Sequence, residues 1–202
     1  MFTGLTGGIG CGKSTALGCF EKLGWHALDA DRICHEIYEE GDKSLIARLT
    51  SRWGKAILQD GALSRKKIAE IVFNNGNELE WLNGLLHPLI MRKADEKAAS
   101  SDSEYVIFDV PLLFETGLER RFDCTISVWA DTRQQVERLR LRGWNKQETE
   151  ARLAAQMPSV RKLEKADFGL INTGDIEFLI EQCIELDKQI RKKEHGKKKE
   201  RY

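Results

Sequence analysis

A chain of 202 residues, 41% hydrophobic and 32% charged, can form a packed domain and carries no compositional sign of disorder. Its 32 basic and 32 acidic residues balance, so net charge gives no reason to expect a nucleic acid or a membrane surface as a partner. Five widely spaced cysteines without a CxxC pair indicate reduced thiols rather than disulfides or a zinc module, and we therefore expect a cytoplasmic protein.

The predicted elements begin with a strand, a glycine-rich turn and a helix. Met1–Thr6 is short and apolar, which predicts a buried strand, and Ser14–Leu23 has apolar residues at helical spacing. Trp25–Asp31 is predicted to be a second strand that ends in two acidic residues. This order of elements is typical of an α/β sheet.

The middle of the chain is predicted to be helical. Apolar residues at three- and four-residue intervals indicate helices over Lys43–Trp53, Ser64–Phe73 and Glu78–Ala99. Pro88 is expected to break or kink the last of these helices. Because this connection is longer than one crossover needs, we predict an inserted helical segment here.

The second half returns to alternating strands and helices. The predicted strands are Tyr105–Pro111, Cys124–Ala130 and Phe168–Asn172, and the predicted helices are Thr132–Arg142, Lys146–Met157 and Glu177–Lys193. Together with the first two strands they predict a five-stranded parallel sheet flanked by helices. The basic tail, residues 194–202, is expected to be a solvated helix end.

The segment GGIGCGKS, residues 7–14, fits the phosphate-loop pattern G-x-x-x-x-G-K-[ST] between a predicted strand and a predicted helix. Glycines leave no Cβ in the way, so successive backbone N–H groups can turn toward phosphate oxygens. Lys13 would reach the β- and γ-phosphates, and the Ser14 hydroxyl would be a ligand of Mg²⁺. The predicted nucleotide-binding residues of this loop are Gly8, Gly10, Cys11, Gly12, Lys13, Ser14 and Thr15.

A phosphate loop alone is shared by GTPases, ATP-driven machines and small-molecule kinases. The nearest text to the guanine-reading N-K-x-D motif is NKQE, in which Asn145 and Glu148 are better explained as a helix N-cap and its capping-box partner. The short chain favours a small kinase over a motor or a transporter. A nucleotide-binding switch and another small-molecule or nucleotide kinase remain as alternatives, and the choice between ATP and GTP stays open.

Phosphoryl transfer also needs a group that positions the acceptor and positive charge around the transferred group. Asp29 and Asp31 lie at the predicted end of the second strand, the edge where α/β sheets bind ligands. Asp109 ends the third predicted strand and could serve near the metal or the acceptor. Arg138 and Arg142 share a helix face and could contact phosphate charge in the transition state.

The sequence resembles the dephospho-CoA kinase family over about residues 4–190. The segments that carry the resemblance are LTGGIGCGKST, LDADRICHEI, LLHPLI, DVPLLFETG, AAQMP, EKADF and INTG. The resemblance implies that ATP phosphorylates the ribose 3′-hydroxyl of dephospho-CoA, giving CoA and ADP in the last step of coenzyme A biosynthesis. It also implies Mg²⁺ as cofactor, no nucleic-acid or membrane partner, and a monomer, with an oligomer left open.

The resemblance further implies a P-loop fold of nucleotide-kinase type in a single domain. Its core would be about residues 1–42, 102–135 and 166–193, its helical CoA-binding insert about 43–101 and its lid about 136–165. Asp31 would be the general base, and Arg138 and Arg142 would act from the lid. The implied substrate contacts are Asp29, Asp31, His87, Pro88, Asp109, Leu112, Leu113 and Phe114. Asn172 and Gly174 would lie by the adenine of ATP.

Overall fold

The computed structural model describes residues 1–73 and 75–199; of the predicted basic tail, residues 200–202 lie outside the described part. Five parallel strands form the main sheet, in the order β2-β5-β1-β6-β7. A short antiparallel pair, β3 and β4, forms a second sheet. The strands are β1 Phe2–Gly7, β2 His26–Asp29, β3 Leu58–Gln59, β4 Ala62–Leu63, β5 Val106–Asp109, β6 Cys124–Trp129 and β7 Phe168–Ile171.

Helices connect these strands. They are α1 Lys13–Lys22, α2 Ala30–Glu40, α3 Lys43–Trp53, α4 Arg65–Phe73, α5 Gly76–Ala99, α6 Thr132–Leu141, α7 Lys146–Ala154, α8 Ser159–Lys165 and α9 Ile176–Lys199. In the described part of the chain, no helix has the length and apolar character needed to cross a bilayer. The predicted five-stranded α/β fold is confirmed.

The chain divides into two compact units, one of residues 1–28 and 101–202 and the other of residues 29–100. The core of the first unit lies around the central strands, where Leu5, Ile107 and Ile126 have no exposed surface. Phe20 of α1 and Cys183 of α9 belong to the same apolar cluster. The strands therefore read as continuous apolar runs because helices cover them.

The second unit is helical apart from its short hairpin. Helix α2 packs on α5, and α4 packs on the same long helix. Its core includes Ile33, Leu45, Leu49, Ile57 and Leu86, each at most 5% exposed. The helical spacing of these side chains produces one apolar interior between amphipathic helices.

Helix α2 is the main departure from the sequence prediction. The second strand, predicted to reach Asp31, ends at Asp29, and a helix begins at Ala30. The Oδ1 atom of Asp29 accepts hydrogen bonds from the backbone N–H groups of Asp31, at 2.8 Å, and Arg32, at 3.0 Å. An N-cap therefore turns the chain directly from strand into helix.

Pro88 lies inside α5, which continues from Gly76 to Ala99, so the predicted break is wrong, and the alternative of a kink stays a prediction. Buried residues lie on both sides of it, among them Leu82 and Leu86 before and Met91 and Ala94 after. Proline has no backbone N–H, so one hydrogen bond of the helix is lost at Pro88. The packing of buried residues on both sides keeps the chain helical in spite of that loss. The hairpin of β3 and β4 and the helix α8 are also absent from the sequence prediction.

Candidate active site

The glycine-rich segment forms a loop between β1 and α1 whose shape depends on glycine. Gly12 precedes α1 with a φ of 98°, and Gly10 has a φ of 77°. A Cβ on Gly12 would lie 2.2 Å from Nδ2 of Asn172. A side chain at this position is therefore excluded both by the left-handed backbone and by the neighbouring amide.

Lys13 is the first residue of α1, and its side chain folds back over the loop. Its Nζ donates to the carbonyl oxygens of Gly7, at 3.1 Å, and Gly8, at 3.4 Å. Ser14 follows in the first helical turn and is exposed. The loop thus combines an ammonium group, a hydroxyl and the N-terminus of a ten-residue helix, which together favour an anion.

Asn172 and Arg138 brace the loop from a distant part of the chain. Asn172 is 8% exposed, and its Nδ2 donates to the carbonyl of Cys11 at 2.8 Å. Arg138 is half-buried; it donates to the carbonyl of Gly10 at 3.2 Å and to that of Asn172 at 2.9 Å. The side chain of Asn172 therefore faces the loop, and its predicted position by the adenine stays a prediction.

The other predicted nucleotide-site residues differ in their surroundings. Thr15 is half-buried, and its backbone N–H donates to the Gly12 carbonyl at 3.1 Å. Gly174 is exposed between β7 and α9. Arg142, one turn after Arg138, is exposed at the C-terminal end of α6. Of the two predicted lid arginines, Arg138 is the one that the structure brings to the loop.

Cys11 lies inside the loop with no exposed surface. Burial raises the pKa of its thiol, although a backbone hydrogen bond and the charge of Lys13 act in the opposite direction. The protonated thiol is inert as a nucleophile. Cys11 therefore contributes its backbone and its small volume to the loop.

Gln135 and Ser159 complete the loop's surroundings and were missed by sequence reasoning. Gln135 is 2% exposed, and its Nε2 donates to the Ala130 carbonyl at 2.8 Å and to the Ser159 hydroxyl at 3.1 Å. A Cβ on Gly8 would lie 2.9 Å from Oε1 of Gln135. A glutamine within a helix gives no local signal of this contact.

Asp29, the last residue of β2, and Asp31, in the first turn of α2, have different surroundings. Asp29 uses one carboxylate oxygen to cap α2, as described above. Asp31 is exposed in the first turn of that helix. Because the Asp31 backbone N–H is held by Asp29, the position of the Asp31 backbone is fixed by its neighbour.

Asp109 is the last residue of β5, opposite Leu5 of β1 in the parallel register, and is 8% exposed. In the loop that follows, Leu112 is half-buried. Leu113 is fully buried, and its Cδ1 would lie 2.8 Å from a Cβ on Gly4. Phe114 is 7% exposed, with Nζ of Lys165 5.6 Å from its ring centroid. Leu113 and Phe114 thus belong to the packed interior as well as to the predicted acceptor site.

His87 and Pro88 lie in the middle of α5, within the helical unit. His87 is half-buried, and burial lowers the pKa of its imidazole, which favours the neutral form. Pro88 is exposed. The structure gives this pair no contact that assigns a role by itself.

A strand, a glycine loop with left-handed backbone, and a helix that begins with lysine and serine define a phosphate-binding P-loop protein of the α/β class. A sequence profile of the dephospho-CoA kinase family matches residues 1–177. The chain belongs to the dephospho-CoA kinase family. Its activity is that of a dephospho-CoA kinase, which catalyses the final step of coenzyme A biosynthesis.

Individual proteins show the same similarity. A dephospho-CoA kinase of Leptospira interrogans is 40% identical over 187 residues, which are 91% of this chain and 89% of that protein. A dephospho-CoA kinase of Carboxydothermus hydrogenoformans is 36% identical over 96% of this chain and 97% of its own length. The solved structure of a dephospho-CoA kinase from Campylobacter jejuni superposes with a TM-score of 0.71 at 28% identity, covering 96% of this chain and 98% of that one.

Proposed function

We propose that the chain transfers the terminal phosphoryl group of ATP to the ribose 3′-hydroxyl of dephospho-CoA, with Mg²⁺ as the metal. Family membership supplies the kinase reaction and ATP as the nucleotide. The observation that supports the residue roles is the loop at α1, with the Lys13 ammonium across the carbonyls of Gly7 and Gly8. The choice of the ribose 3′-hydroxyl as the acceptor group rests on the reaction that the family resemblance implies.

On the donor side, the loop amides and the α1 dipole would hold the phosphates. Lys13 would exchange its two carbonyl contacts for the β- and γ-phosphate oxygens, where a full negative charge makes the stronger hydrogen bond. Arg138, already bonded to the Gly10 carbonyl, lies where its guanidinium can share that charge. Arg142 would join it from the exposed end of α6.

Oxygen donors in the loop and at the end of β5 fit Mg²⁺. The Ser14 hydroxyl and the Asp109 carboxylate are hard oxygen donors, as Mg²⁺ prefers. The described residues contain no group of three or more His, Cys, Asp or Glu side chains that could hold a metal ion. This suits Mg²⁺, because it is held mainly by nucleotide phosphates and water, with one or two protein ligands. Bound there, it would neutralise charge that develops on the transferred phosphoryl group.

On the acceptor side, we assign the general base to Asp31. Its carboxylate would take the proton of the attacking hydroxyl, and Asp29 would keep the first turn of α2 in place. We assign the remaining acceptor contacts to six further residues: His87, Pro88, Asp109, Leu112, Leu113 and Phe114. A neutral His87 could donate or accept a hydrogen bond from the substrate without adding charge.

The variants Asp31→Asn and Lys13→Ala test these roles. Asp31→Asn should lower kcat by about 100- to 10,000-fold, the range for loss of a general base. Lys13→Ala should lower kcat and raise KM for ATP, because Lys13 contacts the nucleotide. An ADP-release assay measures kcat and KM for both variants. Glu39, an exposed carboxylate on α2 like Asp31, serves as the control, and Glu39→Gln should keep normal kinetics.

Three outcomes would contradict the proposal. If Asp31→Asn kept near-normal kcat, the base would be another residue, with Asp29 and Asp109 next in line. If nucleoside monophosphates stimulated ADP release as strongly as dephospho-CoA, another nucleotide kinase activity would be favoured. If the rate of ADP release did not change when any acceptor was added, the chain would be a nucleotide-binding switch. We also propose a cytoplasmic monomer, which sedimentation of the purified chain tests for oligomeric state.

A further inference from the structure

Lys162 of α8 has no exposed surface, although lysine is among the residues most rarely buried. Burial lowers the pKa of its ammonium group, and the Glu115 carboxylate partly opposes this effect. A buried charge carries a desolvation cost that an exposed ion pair avoids. We therefore ask which groups the buried Lys162 ammonium holds in position.

The Lys162 ammonium joins separate segments of the first unit. Its Nζ donates to the Pro111 carbonyl at 2.5 Å and pairs with Oε1 of Glu115 at 2.8 Å. The same Oε1 atom of Glu115 accepts the backbone N–H of Met157 at 2.8 Å. The loop after β5, the middle of α8 and the connection between α7 and α8 therefore meet at one ion pair.

One of the atoms held by this pair, the carbonyl oxygen of Pro111, belongs to the backbone of the loop that carries Leu112. Pro111 is two residues after Asp109 and immediately before Leu112. The Thr6 hydroxyl of β1 also donates to the Pro111 carbonyl, at 3.4 Å. A carbonyl that accepts from two buried donors is fixed more firmly than a loop carbonyl exposed to water. The backbone position at which the segment Pro111–Phe114 begins is consequently fixed.

The helix that carries Lys162 begins beside the phosphate loop, since a Cβ on Gly8 would lie 3.0 Å from Cβ of Ser159, the first residue of α8. The positive charge of Lys13 is one of the causes that lower the pKa of Lys162. Two lysines near each other repel unless negative charge lies between or beside them. Glu115 supplies that charge to Lys162, at 2.8 Å from its Nζ.

We propose that Lys162 and Glu115 form a positioning pair that fixes the segment Pro111–Phe114 for binding of the acceptor. The pair acts through the Pro111 carbonyl and does not touch the substrate. This inference rests on the proposed function, in which Leu112 contacts dephospho-CoA. Its effect is expected on the acceptor and not on the binding of ATP.

The test compares Lys162→Met with Arg161→Met. Arg161 is the preceding residue of α8; it is exposed and pairs along its own helix with Glu164. Because a misplacement of about 1 Å can cost about 100-fold in rate, Lys162→Met should lower kcat/KM for dephospho-CoA by about 10- to 100-fold. The dissociation constant of ATP, measured without acceptor by displacement of a fluorescent nucleotide, should change by less than about threefold. Arg161→Met should leave all of these unchanged.

Two further variants keep the test decisive if Lys162→Met fails to fold. Lys162→Arg retains a buried cation and should recover most of the lost kcat/KM. Glu115→Gln keeps the shape of the side chain and should lower kcat/KM for dephospho-CoA less than Lys162→Met does, again with ATP binding intact. Thermal unfolding of each variant shows which of them are folded at the assay temperature.

Leu112→Ala separates failure of the inference from failure of the proposed function. A raised KM for dephospho-CoA in Leu112→Ala, with normal kinetics in folded Lys162→Met and Glu115→Gln, would overturn the positioning role alone. Unchanged acceptor kinetics in all three variants would instead show that the loop is not the acceptor site. Equal losses of ATP affinity and acceptor kinetics in folded Lys162→Met would make the pair a general structural element and overturn the proposal.

Discussion

The two units of the chain differ in how deeply their polar side chains are buried. Among the described residues, every buried polar or charged residue lies in the unit formed by residues 1–28 and 101–202: Thr3, Thr6, Asp109, Thr125, Ser127, Gln135, Thr149, Lys162, Asn172 and Asp187. In the helical unit, the polar contacts include ion pairs between partly exposed side chains, such as Arg52 with Glu78 and Glu36 with Lys97, and side-chain caps such as Asp29 at the start of α2.

This difference follows from what each unit must hold in place. A loop has few backbone hydrogen bonds of its own, so buried side chains must satisfy and fix its carbonyl groups. Asn172 and Lys162 do this at the carbonyls of Cys11 and Pro111. Helices satisfy their own backbone, and their surface ion pairs add little free energy. We therefore expect single polar substitutions to have large effects in the first unit and small ones in the second.

The largest effect on stability is expected for Asp187→Ala. Asp187 is 8% exposed; it accepts the indole N–H of Trp25 and the Nε–H of Arg191, each at 2.7 Å. Its removal leaves the buried indole N–H without its acceptor and takes one partner from the Arg191 guanidinium, which keeps its hydrogen bond to the Leu23 carbonyl at 3.0 Å. Loss of about 2–4 kcal/mol in the free energy of unfolding is expected, measured by urea denaturation. Glu185→Ala, exposed on the same helix, should stay within about 0.5 kcal/mol of the parent.

Asn172→Ala should have an intermediate effect, visible in both stability and nucleotide binding. The variant leaves the Cys11 carbonyl without its amide donor and removes one acceptor from Arg138. We expect a loss of about 1–2 kcal/mol in the free energy of unfolding and an increase of about tenfold in the dissociation constant of ATP. The exposed neighbour Thr173, changed to alanine, serves as the control. Unaltered ATP affinity in folded Asn172→Ala would show that the loop does not need this brace.

Glu36→Gln should have the smallest effect and one that depends on pH. The hydrogen bond from Lys97 lowers the pKa of the Glu36 carboxyl below its usual range; burial acts in the opposite direction, and the charges of Lys97, Lys93 and Arg32 add to the lowering. A lowered folded-state pKa contributes stability above the unfolded-state pKa, and this is lost as pH falls through the folded-state value. Because the side chain is 25% exposed, the loss at pH 7 should be below about 1 kcal/mol.

The pH dependence gives this prediction its check. Thermal unfolding of Glu36→Gln and the parent should differ at pH 7 and converge in acid, below the lowered pKa of Glu36. Glu96→Gln, which removes an exposed pair with a 4.0 Å separation, should show no measurable loss at pH 7. A large loss at pH 7 in Glu36→Gln would show that ion pairs matter as much in the helical unit as in the other.

The sheet and its strands were predictable because their signals are local. Tyr105–Pro111 and Cys124–Ala130 are apolar runs flanked by polar loops, and both contain strands close to the predicted bounds. The phosphate loop was predictable because backbone binding of phosphate restricts the side chains within a short segment. The capping pair Asn145 and Glu148 was also predicted correctly, since capping acts within one turn.

The remaining features depend on tertiary contacts. Helix α2 was missed because the segment LDAD can either extend a strand or cap a helix. In the structure the Asp29 side chain caps the helix, so the strand ends there. Within SVRKLEK, nothing local distinguishes the buried Lys162 from the exposed Lys165. Asn172 gave no sign of its contact with Cys11, from which 161 positions separate it. Contacts of that range are set by the fold and leave no trace in sequence spacing.

That separation has a consequence during synthesis of the chain. A ribosome makes the glycine loop almost at once, but the amide that supports it is added only after β7 has been made. Until then the nascent loop has its glycines and Lys13 without the brace at Cys11. We therefore expect ATP to stabilise the protein only late in translation, once nearly the whole chain has left the exit tunnel, and truncated chains that end before residue 172 to gain little from added nucleotide.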